Sequence, residues 1–241
     1  MRLPDGLGDG VVANVRDCDF DPGRLVCEAG EGDACLSQAQ ADALDKAFAP
    51  LVNSAGYEIY PAFPVDTGMI EGGMTFIPGE DFFSPGASAD QTELDIDAED
   101  ARLRNDPMQA RTDSYNWNNF STFLERGGKI LFYHGVSDAW FSAFDTLGFY
   151  QRAGEANEGW SDASRYYHVP GMGHCAGGAN TYDSFDLLSA VVDWVENGEA
   201  PGDVVASRTK PEPASRKLCA YSEHPHYVGG DEASADSDEC R

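Results

Sequence analysis

Residues 126–146 read RGGKILFYHGVSDAWFSAFDT. Gly127 and Gly128 stop the short helix that FSTFLERGG predicts, and KILFYHG after them is a compact apolar run of strand type. The next residues, HGVSDAWFS, place Asp138 at that strand's C-terminal edge. Further on, DTLGFYQRAGEAN predicts an amphipathic helix and RYYHVPG a second strand. SFDLLSAVVDWVENG predicts a long helix with Leu187, Leu188, Val191, Val192 and Val195 on one broad face. Helix, glycine stop and buried strand in succession is the rhythm of an α/β chain, and a helix between the two strands suits parallel pairing.

The second strand runs into PGMGHCAGG, which sets His174 in a glycine-lined turn. Acid first and histidine second, each on a loop after a late strand, is the order of the last two triad members in an α/β-hydrolase. In that chemistry the acid fixes the imidazole tautomer and stabilises the imidazolium, while histidine takes the nucleophile's proton and returns it to the leaving group. Taken singly, Asp138 reads as a turn or cap residue and His174 as a satisfied loop histidine. Their order and placement after successive strands favour the acid–base pair.

No GxSxG and no GCSxGG segment occurs in the 241 residues. Ser54 in VNSAG and Ser142 in WFSAF are the nearest lookalikes, but neither is preceded by the glycine that a strained strand-to-helix elbow requires. Both are rejected as nucleophiles.

The first half has a different texture. Residues 1–35 are rich in Gly, Asp and Cys and read as a loop-dominated segment rather than a hydrophobic core. LSQAQADALDKAFA (36–49) spaces Leu36, Ala39, Ala43, Leu44 and Phe48 as a helix with Ser37 as N-cap. From residue 54 to about 113, Gly, Pro and aromatic residues followed by the acidic ELDIDAED read as an irregular lid layer. Trp117, Trp140, Phe82 and Phe83 are open to either a core or a pocket role.

Sixteen Lys and Arg against 42 Asp and Glu give a formal net charge of -26, a solvated acidic surface that repels nucleic acid and anionic membranes. No stretch reaches the ~18 to 20 apolar residues of a membrane helix, and MRLPDGLGDG has no signal-peptide character. Six cysteines without a CxxC pair read as disulfide partners, which points to an oxidising compartment. A chain lacking its N-terminal part reconciles the cysteines with the missing signal, and makes the parent protein secreted or periplasmic.

At RGGKILFYHGVSDAWFSAFDT, VPGMGHCAGG, RKLCAY and PDGLGDGVV the chain resembles the tannase and feruloyl esterase family, which includes enzymes that cleave mono-hydroxyethyl terephthalate. The resemblance covers nearly the whole chain. It implies the C-terminal portion of an α/β-hydrolase-type sheet with an irregular, mixed lid: residues 1–115 as lid with a calcium-type loop, residues 116–241 as the C-terminal part of the catalytic domain. It also implies a serine carboxylic ester hydrolase for aromatic-acid esters, with lid aromatics binding the acyl group, Asp138 in HGxxD as acid and His174 in GMGHC as base.

The family's lid commonly holds calcium through CDxxDGxxDGxI, onto which Asp5, Leu7, Asp9 and Val11 fall. Met1 and Arg2 stand where the leading CD belongs, so the resemblance implies a weakened structural calcium site; a pair of Asp-capped glycine turns is the open alternative. The family pattern pairs Cys27 with Cys35 and Cys219 with Cys240. It leaves Cys18, whose partner lies in the missing CD, and Cys175, whose partner sits beside the nucleophile, without mates. The expectation is a fragment, a truncated gene model or half of a split esterase, inactive alone. A non-catalytic calcium-binding or interaction module is the competing class.

Overall fold

The computed structural model describes residues 5–28, 34–66 and 95–241. Met1, Arg2, Phe82, Phe83 and most of the glycine- and proline-rich lid stretch lie outside these residues.

The first helix, α1 (Gln38–Phe48), begins where the sequence puts it: Ser37 Oγ accepts from Gln40 N–H, and the Gln40 side chain accepts from Ser37 N–H, a capping box. A short antiparallel hairpin follows, β1 (Leu51–Val52) with β2 (Glu58–Tyr60). From residue 95 on, the acidic stretch is not irregular. It forms α2 (Ile96–Arg104), because Asp95 caps Ala98 N–H, acids fill the first turn and Arg102 and Arg104 the last, which suits the helix dipole. After it come α3 (Gln109–Thr112) and α4 (Ser121–Glu125).

The central unit is β3 (Ile130–Gly135), α5 (Ala143–Ala156) and β4 (Ser164–Val169), with β3 and β4 parallel and paired from Ile130↔Ser164 to Gly135↔Val169. Side chains alternate across the ladder, so it has two apolar faces. Ile130, Phe132 and Tyr166 pack with Leu147, Tyr150, Ala153 and Trp160 on the α5 side. Leu131, Tyr167 and Val169 pack with Val11, Met172, Tyr182, Leu187, Ala206 and Leu218 on the other. Tyr166 and Tyr167 are fully buried, yet each hydroxyl has an acceptor: Ala143 O at 3.2 Å and Gly202 O at 2.9 Å. That pairing removes the penalty of burying an unmet O–H.

The second face is completed by α6 (Leu187–Asn197) and the antiparallel pair β5 (Val204–Arg208) and β6 (Ala214–Leu218). A third antiparallel pair, β7 (Pro225–Tyr227) with β8 (Asp238–Cys240), closes the described chain. The apolar face expected of α6 is corrected here. Leu187 and Trp194 turn inward, and the Lys129 and Arg165 side chains lie over the Trp194 ring, each 4.9 Å from its centroid. Leu188, Val192 and Val195 are exposed, at 74%, 41% and 61%.

The N-terminal segment is also corrected. It has little regular structure beyond two 3-10 turns, but Leu7, Val11, Ala13 and Val15 are buried and Val11 joins the core against Tyr167 and Leu218.

Candidate active site

Strand β3 delivers Asp138 and strand β4 delivers His174, and both strands leave the ladder at the same level, Gly135 opposite Val169. Val136 N–H bonds Val169 O (3.0 Å) and Ser137 N–H bonds Met172 O (2.9 Å), which ties the two loops together. A side chain at Gly135 has no room, since a Cβ there would run into the carbonyls of Met172 and Gly173. The glycine of HGxxD is thus required by the close approach of the histidine loop. That loop turns at Gly171, with Met172 N–H returning to Val169 O (3.3 Å), and closes on itself through Gly173 N–H to Gly177 O (2.8 Å).

Asp138 is 3% exposed, and each carboxylate oxygen accepts two hydrogen bonds. Oδ1 takes Trp140 N–H (2.8 Å) and Phe141 N–H (3.2 Å); Oδ2 takes His174 Nδ1 (2.8 Å) and His134 Nε2 (3.2 Å). Burial pushes the carboxyl up, but the bonds from His134, His174, Trp140 and Phe141 outweigh it and hold Asp138 down at about 2. A carboxylate accepts only, so His174 carries its neutral-form proton on Nδ1 and has its lone pair on Nε2, the atom a nucleophile's proton can use. Trp140 lies 4.6 Å and Phe141 5.6 Å, centroid to centroid, from the His174 ring.

Trp140 and His134 were not singled out as site residues from the sequence. Trp140 immediately follows the acid loop, and a core role for it and for Trp117 is excluded by exposures of 36% and 63%. The sequence-rejected serines have other work. Ser142 is fully buried as the N-cap of α5, its Oγ donating to Ala62 O (2.6 Å) and its N–H to the Tyr60 hydroxyl (2.9 Å). Ser54 sits in the β1–β2 turn with its N–H on Asp97 (2.9 Å). Ser137 donates to Asp66, so the segment after β2 rests on the acid loop.

The calcium-type loop is a separate cluster. Asp5 is buried, its two oxygens accepting Leu7 N–H and Ala13 N–H, each at 3.2 Å; burial raises its carboxyl despite those bonds. Asp9 accepts Val11 N–H (3.2 Å) on one oxygen, and the Tyr182 hydroxyl (3.1 Å) and Arg216 Nη1 (3.2 Å) on the other. Calcium takes about 6 to 8 oxygens, and here every carboxylate oxygen of Asp5 and Asp9 already faces a donor. Among the described residues no three His, Cys, Asp or Glu side chains gather to hold a metal ion. Among the described residues the positive charge beside Asp9 is the Arg216 guanidinium. Disulfides join Cys27 to Cys35 and Cys219 to Cys240, while Cys18 and Cys175 are free thiols.

A parallel strand pair whose two following loops bring an acid and a histidine into hydrogen-bond contact is the arrangement found late in an α/β-hydrolase-type fold. The chain belongs to the tannase and feruloyl esterase family: the family model described as "Tannase and feruloyl esterase" matches residues 79–241. It is 32% identical to a mono(2-hydroxyethyl) terephthalate hydrolase of Piscinibacter sakaiensis, over 97% of this chain and 48% of the relative. It is 28% identical to a probable feruloyl esterase B-2 of Aspergillus flavus, over 85% of this chain and 44% of the relative. The crystal structure of feruloyl esterase B from Aspergillus oryzae superposes with a TM-score of 0.78 at 26% identity, over 99% of this chain and 53% of that one. The tannin acyl hydrolase from Aspergillus niger shares the fold, with a TM-score of 0.67 at 20% identity, over 98% of this chain and 50% of that one. The chain spans about half the length of the curated relatives it matches.

Proposed function

We propose that this chain is the acid–histidine part of a serine carboxylic ester hydrolase acting on esters of aromatic acids. The observation that carries the reading is the 2.8 Å hydrogen bond from His174 Nδ1 to a buried Asp138 whose carboxylate is held by four donors. In this reading His174 Nε2 takes the proton of a serine hydroxyl as the oxygen attacks the ester carbonyl, then gives it to the departing alcohol. Water repeats the cycle on the acyl-enzyme. Asp138 keeps the imidazole in the useful tautomer and offsets the imidazolium charge. The names of the relatives support an aromatic acid as the acyl class.

Residues 1–115 form the lid and residues 116–241 the C-terminal part of the catalytic domain. The loop from Asp5 to Val11 is a reduced calcium loop in which Arg216 meets the charge of Asp9, so calcium adds little stability. Two disulfides support an exported parent protein. Cys175, exposed beside His174, is the thiol that would pair with a cysteine next to the serine, the two thiols passing two electrons and two protons to the disulfide-forming oxidant of an exporting compartment.

A second reading, half of a split esterase, is favoured by the edge of β3. Among the described residues that strand pairs with β4 alone, and Tyr133 on it, Phe141 in the loop after it and Leu188, Val192 and Val195 on α6 are exposed. An open strand edge with apolar neighbours suits a serine-bearing partner.

The test is hydrolysis of a p-nitrophenyl ester. The 241-residue chain alone gives no turnover; the same chain joined to a GCSxGG-bearing segment read from upstream coding sequence turns over and loses activity on His174→Ala. Turnover indifferent to His174→Ala in the extended protein overturns the reading.

A further inference from the structure

Asp138 has a second histidine on it. His134, the fifth residue of β3, reaches the same oxygen as His174, with Nε2 3.2 Å from Asp138 Oδ2 and 3.1 Å from Phe141 O. Its Nδ1 lies 2.7 Å from Thr146 Oγ1 on α5. The imidazole is largely enclosed, its side chain 14% exposed.

The donor inventory fixes its tautomer. A carboxylate and a backbone carbonyl only accept, so Nε2 carries the proton and shares it between Asp138 and Phe141. Nδ1 is then an acceptor, and the Thr146 hydroxyl donates to it. The two histidines on Asp138 therefore hold opposite neutral tautomers, His134 protonated on Nε2 and His174 on Nδ1. A ring present only to tie the strand end to α5 would need Thr146 and Phe141 but not the carboxylate.

We propose that His134 is the positioning residue of this site, fixing the Asp138 carboxylate so that Oδ2 stays directed at His174. The inference rests on the acid–histidine reading above. The bonding pattern supports it: Trp140 and Phe141 N–H groups pin Oδ1, and His134 is the only described donor besides His174 on Oδ2. Without it, rotation about the acid's Cβ–Cγ bond is opposed on that side by the very imidazole whose tautomer the acid must set. Among the bonds that hold Asp138 low against its burial, the one from His134 contributes most. Thr146 acts one step further out, by keeping the His134 proton on Nε2.

The experiment needs no turnover and uses the chain as it stands. The imidazole ¹⁵N shifts of His174, read through its ring C–H protons at about pH 8, report which nitrogen is protonated. Wild-type His174 is expected in the Nδ1–H form. Asp138→Asn should return it to a mixture dominated by Nε2–H, the form a free imidazole prefers. His134→Ala should move it part of the way, and His134→Gln, whose amide N–H reaches the same oxygen, should keep most of the Nδ1–H population.

If Asp138→Asn shifts the tautomer but His134→Ala does not, His134 is structural and the proposal fails while the acid–histidine reading stands. If Asp138→Asn also leaves His174 unchanged, the acid–histidine reading itself fails. Should His134→Ala not fold, Thr146→Val decides: a partial loss of Nδ1–H on His174 supports the proposal, and an unchanged ring overturns it.

Discussion

Arg216 Nε donates to Asp238 Oδ2 across 2.8 Å with both side chains nearly excluded from solvent, and Nη1 of the same guanidinium reaches Asp9 at 3.2 Å. One arginine on β6 thus joins the N-terminal loop to the C-terminal strand pair.

Arg216→Met leaves two buried carboxylates without a counter-charge and should lower stability by about 3–5 kcal/mol, the usual result of removing one partner of a buried ion network. Adding Asp9→Asn and Asp238→Asn to that variant should recover much of the loss. Because the guanidinium stands in for a cation, calcium should raise the melting temperature of Arg216→Met more than that of wild type. Equal shifts in the two proteins would sink the idea.

His168 gives an acid-sensitive stability. Burial first, then the charge of Arg16, pushes its imidazole down to about 3, so the folded chain keeps it neutral. The unfolded chain protonates near the ordinary 6.5, so this contribution is complete above pH 6.5 and is lost as pH falls toward 3. Asp138 adds a lower window: its stabilisation, about 2 kcal/mol, is present above its ordinary 3.8 and is lost as pH falls through about 2. The expected result is a melting temperature that drops between pH 7 and 4, with a shallower drop in His168→Gln. Parallel curves for the two proteins would count against it.

The two disulfides should differ in worth. Loop-closure entropy gives about 3 kcal/mol for Cys219–Cys240, separated by 21 residues, and about 2.5 kcal/mol for Cys27–Cys35, separated by 8. Urea midpoints for the paired Cys→Ala variants should rank in that order.

Gly135→Ala should cost about 1–3 kcal/mol, because the methyl group meets the carbonyls of Met172 and Gly173 and the histidine loop must retreat. The same variant should lose the Nδ1–H signature of His174, since the retreat lengthens its bond to Asp138. Alanine tolerated with the wild-type signature would show that the two loops are not packed as described.

The strands β3 and β4 were legible because short apolar, aromatic runs bounded by glycine have few other readings, and Asp138 and His174 followed from their place after those strands. His134 was not, since a strand histidine gives no sign that the chain after it curls back four residues later to meet its ring. The buried side of α6 was ambiguous for a different reason: Leu187 and Trp194 compete with Leu188, Val192 and Val195, and only Lys129 and Arg165 over the indole pick the winner. The aspartates and glycines around Val11 hid its burial in the same way, by setting a polar local texture around one core side chain.

The pairing of Gly135 with Val169 has a further consequence. Asp138 lies three residues beyond that last rung and His174 five, so the ladder acts as a measuring stick for the site. Slipping β4 by one residue along β3 moves its loop by about 3.3 Å, more than a hydrogen bond can stretch, and turns every side chain of the strand to the opposite face. The protonation pattern of a single imidazole is therefore a gauge of correct assembly: molecules that have zipped out of step are told apart from native ones by where His174 keeps its proton.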